Sequence, residues 1–206
     1  MPVTRRAQHA EDTRRSLLEA SRHVFAAKGF AGASLDDIAA RARVTKGALY
    51  HHFPSKAALL EAVYVELEEE IATKVRNATA SAGGTAMARV AAALDAFFRA
   101  SADPVYLRIV LHEAPFILGR IKGRRLDHAI GLDVVVDLIT ALKREGLLGD
   151  VPIEMSARIF LAAVSEVAMS AAHSDTPDTV RAEGMMVLAS MIEGVRLATA
   201  ASARRP

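Results

Sequence analysis

The chain has 206 residues, with 26 Lys plus Arg, 24 Asp plus Glu, 51% hydrophobic residues, and neither cysteine nor tryptophan. That length can bury a substantial core in one domain or two, and the missing cysteines exclude a disulfide framework, a thiolate-held metal and a cysteine nucleophile. The formal net charge of +2 conceals a division: residues 1–60 hold ten bases against five acids, and the remaining 146 residues hold 16 against 19. A basic N-terminal part on a mildly acidic remainder suggests a polyanion-binding module joined to something else.

The elements in chain order are all expected to be helices. Leu17, Leu18, Ser21, Val24 and Phe25 form one stripe of a helix over 12–28, with Gly29 placed to cap it. Ser34 is the N-cap of a short second helix, with Asp37 three residues on, and Leu35, Ile38, Ala39 and Ala42 make its buried face. Thr45 caps a third helix that Phe53-Pro54 stops. Ser55 caps a long fourth, with Leu60, Val63, Leu67 and Ile71 inward and Glu66, Glu68, Glu69 and Glu70 on the wet side. After Gly83-Gly84 the punctuation predicts helices over about 85–101, from Pro104, over 125–145 with Gly146 at its end, and from Pro152 and Pro177, the last reaching about Ala200. Pro115, inside a helical pattern, should kink or end its helix, and Lys122-Gly123-Arg124-Arg125 reads as a solvated loop. The apolar stretch Ile159 to Val164 is cut by Ser165 and Glu166 before the roughly 18 to 20 residues of a membrane span. With no apolar run after the basic start, the chain is expected to be cytoplasmic, without a membrane partner.

Only Arg43 and Val44 separate the second and third helices, and a tight pair of this size is the helix-turn-helix geometry that sets its second helix in the DNA major groove. In that second helix Leu49 and Phe53 lie one turn apart and should face the core. At the other side, Lys46 can donate to guanine O6 or N7, and Gly47 lets the backbone approach closely. Thr45, Tyr50, His51, His52 and Lys56 supply donors suited to phosphate oxygens, and Ser34 completes the DNA-contacting set. Arg5 and Arg6 fit a basic arm on the DNA or a solvated terminus equally.

Over residues 12–60 the sequence resembles the tetracycline-repressor (TetR) family of bacterial transcription regulators. The resemblance rests on Phe25, Lys28-Gly29-Phe30, Ser34-Leu35-Asp36-Asp37-Ile38-Ala39, Val44 to Phe53, and Ser55-Lys56 with Leu59, in that order and spacing. Ala57 departs from the acid that many members carry after the lysine. The resemblance implies that Lys46 and Gly47 meet bases and that Thr45, Tyr50, His51, His52 and Lys56 meet phosphates. It also implies an all-α fold: a three-helix DNA-binding domain over 1–54, then a helical bundle over 55–206 that dimerises and binds a small-molecule effector.

The residues of the second part agree with a homodimer. Ala157 to Ala172 is apolar nearly all round apart from Arg158 and Glu166, so burying one side leaves another to be covered. In the last helix Met185, Leu188, Met191, Ile192 and Val195 make a stripe, with Gly184, Ala189, Ser190 and Gly194 leaving room for close approach. Phe97, His112, Phe116, Glu166, Met169 and His173 are the candidates for an effector pocket, though each apolar one also fits an ordinary core and Glu166 an exposed rim. Their spacing is no metal motif, and no cofactor is expected. There is no phosphate loop, nucleophile elbow or telling carboxylate pair, so no catalytic residue is assigned. The expected function is a DNA-binding regulator, a repressor on an inverted-repeat operator; the alternatives are a sequence-tolerant DNA-binding structural protein and an all-helical enzyme.

Overall fold

The computed structural model describes the backbone of residues 5–202 and the side chains of residues 7–119 and 130–199, and among these residues the regular structure is entirely helical. Ten α-helices occur among the described residues: α1 (Arg5–Gly32), α2 (Leu35–Ala42), α3 (Lys46–His52), α4 (Lys56–Ala82), α5 (Ala86–Ser101), α6 (Pro104–Tyr106), α7 (Ala114–Ile117), α8 (Arg120–Arg144), α9 (Ile153–Ala172) and α10 (Pro177–Ser202). A π-helical segment, Leu107–Glu113, runs between α6 and α7. Contacts divide the chain into two compact units: one holds the residues up to Leu67 with Pro104–Gly123, the other Glu68–Asp103 and the residues from Arg124 on. That division and the sequence boundary at residue 54 fall at different places. Leu59, Leu60 and Val63 are fully buried in the first turns of α4, which stays with the head as far as Leu67.

In the first unit, the expected α1 stripe is buried: Leu17 and Phe25 are inaccessible, and Ser21 is buried with its hydroxyl donating to the Leu17 carbonyl. The helix starts at Arg5, earlier than the pattern predicted, and breaks at Gly29, whose φ of 70° and ψ of 171° leave helical space; the side chains of Arg5 and Arg6 lie outside the described residues. Glu113 and Arg108, both from the π segment, cover the break. A Glu113 oxygen accepts from the Phe30 amide at 2.7 Å, and the Arg108 guanidinium donates to the Ala26 carbonyl at 3.0 Å. Glycine is favoured at this junction by its φ, and a Cβ there would stand 2.6 Å from Glu113 Oε1 and push that carboxylate aside.

The π segment is where the break expected at Pro115 is expressed. Pro115 has no N–H to give Leu111, and in α geometry its ring would crowd that carbonyl. The chain widens instead: the Ala114 amide bonds the Ile109 carbonyl, five residues back.

In the second unit, Ala86, Val90, Ile139, Leu142, Leu148 and Ala157 form a buried cluster against which Val135, Leu138, Phe160, Ile192 and Val195 pack. The Glu145 carboxylate accepts from the Ala86 amide at 2.8 Å and pairs with Arg89, joining the start of α5 to the end of α8. Three readings from sequence need correction. Residues 122–125 are not a loop: α8 begins at Arg120 and runs through them, because a single helical glycine costs only about 1 kcal/mol, while Gly119 at φ 80° makes the actual break. Of the four glutamates expected on the wet side of α4, only Glu69 is exposed. In α10, Leu188 is 2% exposed, and Ile192 and Val195 pack into the chain's own core. Gly184 meets Val167 of α9 so closely that a Cβ would collide with it. Part of the stripe read as a surface for a second copy is thus turned inward, while Met185 and Met191 stay half-buried and Ala189, Ser190 and Gly194 are exposed, as are Met186, Val187 and Leu197.

Candidate nucleic-acid interface

The local rules that end α2 and start α3 are what present the recognition surface. The Ser34 hydroxyl accepts from the Asp37 amide at 3.0 Å, and the Thr45 hydroxyl from the Ala48 amide at 3.2 Å, each cap stabilising its short helix by about 1 kcal/mol. Ile38 and Ala39 bury α2, and Leu49 (0% exposed) with Phe53 bury α3. With that face inward, Thr45, Lys46, Gly47, Tyr50 and His51 are exposed and His52 is half-buried. Each capping hydroxyl accepts with a lone pair, which leaves its own hydrogen to donate elsewhere. A Cβ at Gly47 would find only Thr45 Oγ1, at 3.9 Å; nothing inside the protein needs glycine there, and the space in front of it is open.

Charge around α3 is already organised. Lys46 Nζ lies 2.8 Å from Asp36 Oδ1 and 3.1 Å from Oδ2, and the Asp36 hydrogen bond, then its charge, raises the lysine pKa. Lys28 pairs with Asp37 at 2.7 Å, and that hydrogen bond, followed by the one from Ser34, holds the Asp37 carboxyl below its ordinary value. These partnerships join residues nine and ten apart on different helices and were not anticipated from the sequence; two acids in the first turn of α2, between two lysines, were the available signal.

Lys56 has a structural part beside the one expected of it. Its ammonium donates to the carbonyls of Phe30 at 2.7 Å and Ala33 at 2.9 Å and stands 4.4 Å over the Phe30 ring. Two of its three donors are thus committed inward, to the acceptors left open where α1 ends. His51 and His52 meet edge to face at 5.5 Å, and His52 is tilted on Phe53 at 6.5 Å.

A short polar helix, capped by a hydroxyl, seated by Leu49 and preceded by a two-residue turn is the arrangement of a DNA-reading head. The family model for bacterial regulatory proteins of the tetR family matches residues 17–63, and that for the tetracyclin repressor-like C-terminal domain matches residues 87–195. The chain belongs to the TetR family. Against the HTH-type transcriptional regulator SrpR of Pseudomonas putida it is 47% identical over 57 residues, 28% of this chain and 27% of SrpR. Against TtgR of the same species it is 42% identical over 67 residues, 32% of each. The chain thus spans about a third or less of the curated relatives it matches. The whole fold is shared with a TetR-family regulator from Pectobacterium atrosepticum, with a TM-score of 0.79 and 28% identity over 94% of this chain and 97% of that one. It is also shared with the FadR regulator of Bacillus subtilis, solved with stearoyl-CoA, at 0.70 and 18% identity over 88% and 98%.

In this TetR-family chain the six expected effector residues do not gather as one group within either unit. His112 and Phe116 belong to the first unit and are both exposed, Phe116 at 84%. The other four belong to the second unit. Phe97 is half-buried and meets Phe98 edge to face at 5.3 Å. Met169 is half-buried, and its carbonyl lies 2.8 Å from His173 Nδ1. Glu166 is exposed, accepting a hydrogen bond from Ser170. Among the described residues no three His, Asp or Glu side chains cluster as a metal site would require.

α9 is 20 residues long with a mean hydropathy of 1.3, long and apolar enough by those measures to cross a membrane. The interruption at Ser165 and Glu166 does not take it below that threshold, contrary to the reading from sequence. The same helix carries the Arg158–Glu154 ion pair and exposed Glu166.

Proposed function

We propose that the chain is a cytoplasmic homodimeric transcription regulator, a repressor that reads an inverted-repeat operator with α3 and is released by a small-molecule effector. The carrying observation is that α3 buries Leu49 while Thr45, Lys46, Gly47, Tyr50 and His51 face outward. Reading a base requires Lys46 to exchange the Asp36 carboxylate for an acceptor such as guanine O6, a trade between two charge-assisted partners. The dimer rests on the exposed apolar side chains of α9 and α10, Met155, Ile159, Met186, Val187 and Leu197, an outward surface of a kind that single soluble chains rarely leave open. A two-fold axis would place the two α3 helices about 34 to 36 Å apart, on successive major grooves. Release follows if effector binds the DNA-incompetent arrangement more tightly than the competent one.

Selection of sites from a random DNA pool is expected to return a palindrome, and Lys46→Ala to cost about 1 to 3 kcal/mol on that site while relaxing one base position. A pool that enriches no sequence would favour the sequence-tolerant binder. Sedimentation at the 22.0 kDa chain mass would remove the dimer.

A further inference from the structure

The turn between α2 and α3 contains an anomaly that the fold does not explain. Six described residues have positive φ, and five are glycines; the sixth is Arg43, at φ 57° and ψ 38°. In this left-handed region the Cβ of an L-residue crowds the following carbonyl, a penalty glycine escapes. The same chain makes the same turn with glycine elsewhere. At the end of α8, Gly146 bonds the Lys143 carbonyl and Leu147 bonds Leu142, at 3.1 and 3.0 Å; at the end of α2, Arg43 bonds Ala40 and Val44 bonds Ala39, at 3.2 and 3.0 Å. Both are Schellman closures with the left-handed residue just past the helix, the position that favours glycine.

The arginine side chain returns nothing to the fold for that strain. It is exposed, and no hydrogen bond or ion pair joins it to another described residue. Both acids between residues 34 and 56 are taken, Asp36 by Lys46 and Asp37 by Lys28. Lys56 is bound to carbonyls. A guanidinium with five donors is therefore held ready two residues before the Thr45 cap of the recognition helix, on the longest flexible stem available, at a position where the backbone would be better served by glycine.

We propose that Arg43 is a DNA-backbone contact, its guanidinium binding a phosphate of the duplex that α3 reads. This rests on the DNA-binding function proposed above. A phosphate contact carries affinity and register without sequence information, so its signature is electrostatic and separable from the base reading of Lys46.

The test pairs stability with binding in the full-length protein, using a short duplex carrying the selected site and a second of scrambled sequence. R43G relieves the backbone and removes the charge; R43Q removes the charge and leaves the backbone alone; R43K keeps the charge. R43G is expected to melt at or above the wild type yet to bind both duplexes about tenfold more weakly, as expected for one lost charge-assisted hydrogen bond. R43Q should weaken binding similarly, with the slope of log affinity against log salt reduced by about one in both variants, and R43K should keep the wild-type slope. The inference is overturned if R43G and R43Q retain the wild-type affinity and slope, or if R43G melts below the wild type, which would make the arginine a structural residue. A wild type that binds neither duplex overturns the DNA-reading function and this contact together; a wild type that binds while the variants match it overturns this contact alone.

Discussion

The turn-and-helix region from Ser34 to Lys56 and the α9–α10 pair are both short on internal partners, but for different kinds of surface. In the first, Ile38, Leu49 and Phe53 take the large apolar groups inward, and what is exposed is chiefly hydroxyl, imidazole and cationic. In the second, ion pairs such as Arg158–Glu154 and Arg196–Glu193 are satisfied locally, and what remains outward is methionine, valine, isoleucine and leucine. Unmatched charge calls for a polyanion and unmatched hydrocarbon for another hydrocarbon surface, so one chain presents two surfaces that do not compete for the same partner.

The contrast can be broken most heavily on the apolar side. Met186→Glu with Val187→Glu is expected to weaken self-association at least a hundredfold, about 3 kcal/mol, measured by sedimentation, with the melting of the isolated chain nearly unchanged. Gly184→Ala should cost about 2 kcal/mol in thermal unfolding, because β-branched Val167 cannot rotate out of the way. Val167→Ala in the same chain should recover part of that loss, a coupling that a double-mutant cycle reads directly. On the polar side, Lys56→Ala should lower unfolding stability by about 1.5 kcal/mol by stripping donors from the Phe30 and Ala33 carbonyls, while the salt slope of DNA binding stays at the wild-type value. A slope reduced by one would return Lys56 to the phosphate contacts.

The smallest effect is a pH dependence. The folded-state pKa of Asp37 is depressed by Lys28, so the stability this pair contributes is present above the unfolded carboxylate value and lost as pH falls below about 4. Asp37→Asn should flatten the acid limb of the unfolding curve by a measurable but small amount, because the pair is exposed.

Much of the head was legible in the sequence because its elements are set by rules acting within a few residues. Ser34 and Thr45 cap as their positions predict, and Leu49 and Phe53 face inward by helical spacing alone. The inward bonds of Lys56 were hidden for the opposite reason: its partners, Phe30 and Ala33, are 26 and 23 residues away, and a lysine near a recognition helix shows no sign of a carbonyl that far along the chain. The segment 122–125 was misread because its composition is that of a loop, while helix continuity is decided by Gly119 just before it. In α10 the apolar residues were correctly found, but a helix that is apolar on two sides does not declare which side its own chain takes.

The π segment ties this part of the chain to α1 through residue count. Arg108 and Glu113, which together close the broken end of α1, are five residues apart. On an α-helix that separation turns the second side chain about 140° from the first, whereas i to i+5 bonding brings them to nearly one face. Four residues apart on an ordinary α-helix, the two would lie about 40° from one another, again on one face. The wide turn therefore absorbs one residue more than an α-helix would need to present the same pair to α1.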